Sequence, residues 1–319
     1  MVPERQKMQW FRQVQDEVDL IFLGSSHVYR QFDPALFDRE RGVKEGEPRA
    51  VNMGALGMGL NEESYLLRQF LSDPAPSLKW IVVEALPYDL KFQNENDFGL
   101  RRLEWHDTQL TWPLLLTIWR SELPEDEKWP LIKRHFEHWW RRSLNLARGV
   151  SAVAHQFEGP FSFENRPNLG PGLNGYFPLE VATATKQSRG MHRAFLQDPS
   201  KLLQAARALP RLDSGGEPDP NLLALVREME QLAKEHGVTL VWWLHPNLKR
   251  YSGWRQMLAN GDIQFLIAHD DPLRYPMFYQ PRWHFDLYHL NRKGSEMLTK
   301  VFAREFLNLM SQEAVEVTR

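Results

Sequence analysis

The sequence contains no cysteine. That excludes disulfides, thiolate zinc sites and a cysteine nucleophile. No run of residues is long and apolar enough to span a bilayer. The polar stretch from Met1 to Val14 has no signal-peptide core. Two readings of location follow: a cytoplasmic protein, or one whose N-terminal anchor has been removed. An excess of either charge is also lacking. There are 39 basic and 41 acidic residues, for a net charge of −2. Without a positive field over the whole chain, nucleic acid is not an expected partner.

What is present is ordinary in bulk and uneven in detail. The 319 residues are 42% hydrophobic and 25% charged, enough for one large α/β domain. Short apolar runs predict strands at Val18–Leu23, Arg49–Met53, Trp80–Leu86, Val238–Leu244 and, more weakly, Ile263–Ala268. Helical spacing predicts helices at Asn61–Leu71, from Asp219-Pro220 to about His236, and from Arg292 to about Leu309. Strands alternating with helices predict a parallel sheet covered on both faces. Between about 95 and 210 no strand alternation is legible. Trp112–Trp119 and Glu127–Arg148 have helical character, and Gly159–Pro178 reads as loop. This region is taken as a mainly helical insertion in a single domain spanning 1–319.

In a parallel sheet, reactive groups stand beyond the C-terminal ends of the strands. The first such turn is Gly24-Ser25-Ser26-His27. A hydroxyl behind a glycine at a strand's end can serve as a nucleophile, and the same residues make an ordinary turn or helix N-cap. The second turn, Asn52-Met53-Gly54-Ala55-Leu56-Gly57-Met58-Gly59, can expose backbone N–H groups to an oxyanion, or simply connect to the next helix. The third piece is His284-Phe285-Asp286-Leu287-Tyr288-His289. His289 can act as base for a serine, oriented by Asp286. An exposed acid–imidazole pair before a helix, or a metal set of His284, Asp286 and His289, also fits the residues.

Together these pieces resemble the SGNH (GDSL-like) hydrolase family. Gly24-Ser25-Ser26 falls on its first block, Asn52 and Gly57 on its second, and Asp286-Leu287-Tyr288-His289 with Gly294 on its last. The resemblance covers the first 90 residues and roughly 220–319. It implies a flavodoxin-like three-layer sandwich with a five-stranded parallel sheet. Ser26, His289 and Asp286 become the catalytic residues, with the N–H groups of Ser26 and Gly57 as oxyanion donors and no cofactor. Ser25 stands where the family has aspartate. That form is similar to cell-wall D-alanyl esterase/transferase and alginate O-acetyltransferase proteins, which implies a small acyl ester or acylated glycan as partner and an extracytoplasmic place. The family's Gly-x-Asn-Asp block is missing, and Tyr88 falls where its asparagine donor would stand.

The expected activity is ester hydrolysis or O-acyl transfer through an acyl-enzyme. The alternatives are a non-catalytic glycan- or partner-binding relative and a metal-dependent hydrolase. His27, beside the serine, and His245 and Asn247, after the fourth strand, are candidate substrate contacts. Arg30 could bind an anionic substrate group or pair with Asp33, and the pair is the expected role. The basic, aromatic segment 128–148 is either an amphipathic helix packed on the core, a cap over the site, or a face that lies on a membrane.

Overall fold

The computed structural model describes residues 3–90, 105–144, 168–182, 186–209 and 216–317. In chain order the strands are β1 Val18–Leu23, β2 Arg49–Asn52, β3 Trp80–Glu84, β4 Thr239–Leu244 and β5 Leu266–Ala268. The helices are α1 Pro3–Val14, α2 Ser26–Gln31, α3 Pro34–Glu40, α4 Leu60–Ser72, α5 Thr108–Arg120, α6 Glu125–Ser143, α7 Leu179–Ala182, α8 Lys186–Gln197, α9 Ser200–Ala208, α10 Pro220–Glu235, α11 Trp254–Asn260 and α12 Arg292–Val317.

The strands form one sheet in the order β2-β1-β3-β4-β5. Every neighbouring pair is parallel. The architecture is thus the expected α/β sandwich of three layers, with further helical regions. The two-residue period of the strands sorts side chains between two cores. Ile21, Leu23, Ile81, Val83, Leu240 and Trp242 pack on one face with α4 and α10. Leu20, Phe22, Val82, Val241 and Trp243 pack on the other with α3 and α12. Because both faces are covered, these strands read as nearly unbroken apolar runs.

The helix starts follow from local chemistry. Asp219 accepts from the N–H groups of Asn221 and Leu222, with Pro220 opening the helix. Asp33 caps α3 in the same way, ahead of Pro34. That role replaces the expected ion pair: Arg30 instead donates to the Phe177 carbonyl at 2.9 Å and lies over the Tyr29 and Phe177 rings. The guanidinium there meets one carbonyl and two ring faces, with its Nε left without a hydrogen-bond partner, while Asp33 is occupied by its helix.

The expected fifth strand is shorter than its apolar run, because Ile263 packs in the core ahead of β5 rather than in the ladder. Helix α6 ends at Ser143, and residues 145–148 of the expected helix lie outside the described residues. Among the described residues of 95–210 there are helices and turns and no strand.

One half-buried group ties the fold to pH. Burial pushes the Glu230 carboxyl up to about 7, although Trp242 donates to it at 2.6 Å. Below the usual carboxylate pKa both folded and unfolded chains are protonated. As pH rises from about 4.5 to about 7, only the unfolded chain releases this proton, so stability falls, by about 3 kcal/mol. Glu230→Gln keeps an acceptor for Trp242 and removes that loss. The variant should be more stable than the parent at pH 8 and nearly equal at pH 5, as read by thermal unfolding. An equal difference at both pH values would show that Glu230 is not held protonated.

Candidate functional site

The sheet order reverses between β1 and β3, which opens a crevice at their C-terminal ends. The site is built there. β1 ends at Leu23, and Gly24 turns the chain. A Cβ at Gly24 would stand 2.7 Å from that of Glu84, so the close approach of this turn to β3 requires glycine. Ser25 is the N-cap of α2, accepting from the His27 N–H at 3.3 Å. Ser26 is therefore the first helical residue, in the turn whose N–H groups have no intrahelical acceptor.

The structure brings Ser26 and the late pair together across 263 positions. Ser26 Oγ lies 2.8 Å from His289 Nε2. On the far side of the ring, His289 Nδ1 lies 3.0 and 3.1 Å from the two carboxylate oxygens of Asp286. That contact makes Nδ1 the donor and leaves Nε2 to accept the serine proton. The loop is fixed by its own backbone: Asp286 Oδ1 accepts from the N–H groups of Tyr288 and His289, both at 2.8 Å. Burial would raise the Asp286 carboxyl. The His289 ring and these N–H groups outweigh burial and hold it below the usual range, so it is ionised. A serine–imidazole–carboxylate chain of this kind can transfer a proton as the hydroxyl attacks an electrophile.

The turn after β2 is pinned peptide by peptide. The N–H groups of Asn52, Met53 and Ala55 donate to the carbonyls of Asn174, Phe22 and Gly24. Gly54 N–H donates to the Asn52 side chain, whose amide in turn donates to the Val28 and Phe32 carbonyls. Gly57 follows this fixed platform with φ at 62°, a conformation that favours glycine.

Beneath the serine lies a group whose role the sequence did not reveal. Glu84, at the end of β3, is fully buried. Its Oε2 accepts from the Ser25 N–H at 2.6 Å, and its Oε1 lies 3.0 Å from His27 Nδ1. His245 Nδ1 stands 2.9 Å from the same oxygen. Burial alone would raise this carboxyl. The two imidazoles, His245 foremost, hold it far below the usual range. The only sequence signal was an acidic residue inside the apolar run Trp80–Leu86. Glu63, on α4, contrasts with it. Burial and the nearby Glu84 push its carboxyl well above the usual range.

The other candidates divide. The His27 ring lies between those of His245, at 3.7 Å, and His289, at 5.2 Å. It turns toward Glu84, and burial lowers its pKa and keeps it neutral. His245 is buried in the same stack and Asn247 lies one turn further on, beside Tyr279. Tyr88 is half-buried against the core, and burial raises the pKa of its phenol.

Two metal sets can be compared. His284 turns both ring nitrogens to backbone carbonyls, those of Phe278 at 2.7 Å and Asp286 at 3.1 Å, so the set His284, Asp286 and His289 is not assembled. His27, Glu84 and His245 do bring ligating atoms within 4.8 Å of one another. Their rings lie face to face, however, whereas the ligands of one ion point in-plane lone pairs at a common centre. The arrangement fits a buried carboxylate shared by two imidazoles better than an ion.

No family model matches the chain, and no curated protein matches it.

Proposed function

We propose that the protein is a serine-dependent ester hydrolase or O-acyltransferase that works through an acyl-enzyme on a small acyl ester. The observation that carries this reading is the 2.8 Å contact between Ser26 Oγ and His289 Nε2, with Asp286 on the opposite ring nitrogen. Ser26 Oγ attacks the ester carbonyl carbon as its proton passes to His289 Nε2. Asp286 stabilises the imidazolium that forms. The N–H groups of Ser26 and Gly57 receive the oxyanion. Collapse returns the proton to the departing alcohol and leaves the acyl group on Ser26. Water or an acceptor hydroxyl then gives its proton to His289 and takes the acyl group, and His289 returns that proton to the departing Ser26 Oγ. Glu84 holds the Ser25 N–H and thereby fixes the turn that presents the serine. The resemblance of the motifs to glycan-acylating and deacylating proteins supports an acylated glycan as the substrate class.

A second reading is a binding protein that retains the fold and the serine without turnover. The missing Gly-x-Asn-Asp block favours it, because it removes the family's third oxyanion donor. A fluorophosphonate probe separates the two. Stoichiometric labelling mapped to Ser26, with hydrolysis of a short-chain activated ester, is the expected result. An unlabelled Ser26 in folded protein would overturn the enzymatic reading.

A further inference from the structure

Helices α5 and α6 form a hairpin whose inner side is accounted for. Leu110, Leu114, Ile118 and Leu131 pack there with Trp105. The outer side is unlike the rest of the molecule. On α5, Trp112, Leu116 and Trp119 follow at four and three residues, the spacing of one helical stripe. On α6, Trp129, Phe136 and Trp140 form a second stripe. These six side chains are 44–56% exposed, while Trp242, Trp243 and Trp254 of the core are fully buried.

The two stripes are one surface. Trp119 meets Trp129 edge to face at 5.6 Å, and Trp112 meets Trp139 at 5.5 Å. Contiguous exposed rings of this kind mark an interaction face, because each large side chain gains about 1.5–3 kcal/mol on leaving water.

The charge around the rings points to the occupant. Lys128–Arg142 carries five basic residues and one acidic residue in a chain of net charge −2. Lys133 is exposed and lies within the α6 stripe between Trp129 and Phe136. Arg141 is exposed on the same helix, and its surface pair with Glu137 is weak enough to exchange for another anion. The acidic residues of α6 are otherwise confined to its first turn, Glu125, Asp126 and Glu127, where the helix dipole favours them. Tryptophan rings with interspersed lysine and arginine suit the headgroup level of a bilayer, where one end of the side chain is wet and the other apolar. No helix among the described residues is long and apolar enough to cross a membrane, so the contact would be peripheral.

We infer that the α5–α6 face docks the protein on an anionic lipid bilayer, with both helices in the plane of the interface. The tryptophans insert at headgroup level, and Lys133 and Arg141 meet the lipid phosphates.

Flotation with vesicles of phosphatidylcholine, with and without phosphatidylglycerol, tests this. The parent should float with the anionic vesicles, release at high salt, and show a blue shift of tryptophan emission on binding. Lys133→Glu should weaken partitioning by about tenfold, since each basic residue near an anionic surface contributes about 1 kcal/mol and reversal also repels. Trp119→Ser/Trp129→Ser should weaken it further. Both variants should keep the parent's thermal midpoint and Ser26 labelling, because the substituted side chains are exposed and outside the serine site. Failure of the parent to float, or equal flotation of the double tryptophan variant, overturns the inference. So does a parent dimer that the double variant converts to monomer, which would assign the face to a second copy of the chain.

Discussion

Ser26→Ala, His289→Ala and the double variant are expected to lose ester turnover to nearly the same extent, about 10⁴- to 10⁶-fold in kcat. The expectation comes from the geometry of a single proton path. Ser26 Oγ and His289 Nε2 are 2.8 Å apart, and neither group performs its step without the other. Once the serine is gone, the imidazole has no nucleophile to deprotonate. Removing it as well then costs almost nothing more. Asp286→Asn should cost less than either, because it removes the charge that supports the imidazolium and leaves the nucleophile and base in place. Steady-state rates on a short-chain activated ester read all four variants. Circular dichroism confirms that each is folded. Losses that multiply from the single variants to the double would show two independent functions. A Ser26→Ala variant with the parent's rate would remove the serine from the chemistry.

Much of the fold was legible because its determinants are local. The apolar runs at Val18, Trp80 and Val238 are strands buried on both faces. The Asp219-Pro220 helix start is a cap whose donors lie two and three residues away. The Asp286–His289 spacing, read as one loop, is closed by backbone N–H groups within that loop. What stayed hidden depends on distance along the chain. Glu84 acquires its role from Ser25 and His27, 59 and 57 positions away, and no strand pattern announces which acid will lie beneath a distant serine. Arg30 has Asp33 three residues on, the spacing at which a sequence predicts a pair. Its partner is instead Phe177, 147 positions later, from a loop with no periodic signature. Tyr88 falls in register with a block the chain lacks, and it packs half-buried against the core. Helix α1 is not legible because its stretch is mostly polar; Trp10 and Phe11 dock it on the core, and a single buried lysine ties it to the turn after β2.

That lysine provides the largest stability effect expected for one substitution. Lys7, on α1, is 2% exposed. Its three N–H groups meet three backbone carbonyls: Asn52 at 3.0 Å, Gly54 at 2.7 Å and Gly175 at 2.8 Å. Its ammonium also lies over the Tyr29 ring, 4.1 Å from the centroid. A buried ammonium is tolerated when every donor is used, and removing it leaves carbonyls without partners in a dry site. Lys7→Met preserves the length of the side chain and deletes the charge. It should lower stability by about 3–5 kcal/mol, read as a shift of the urea midpoint at constant m-value. Two of the three carbonyls belong to the turn that leads to Gly57. The variant should therefore also slow fluorophosphonate labelling of Ser26 under conditions where it remains folded, although Lys7 touches neither the serine nor the imidazole. Lys7→Arg should recover little, since a planar guanidinium cannot present three donors to carbonyls converging on one nitrogen. A Lys7→Met variant with the parent's midpoint and labelling rate would show that the turn holds itself without α1. Loss of stability at an unchanged labelling rate would confine the lysine to docking the helix.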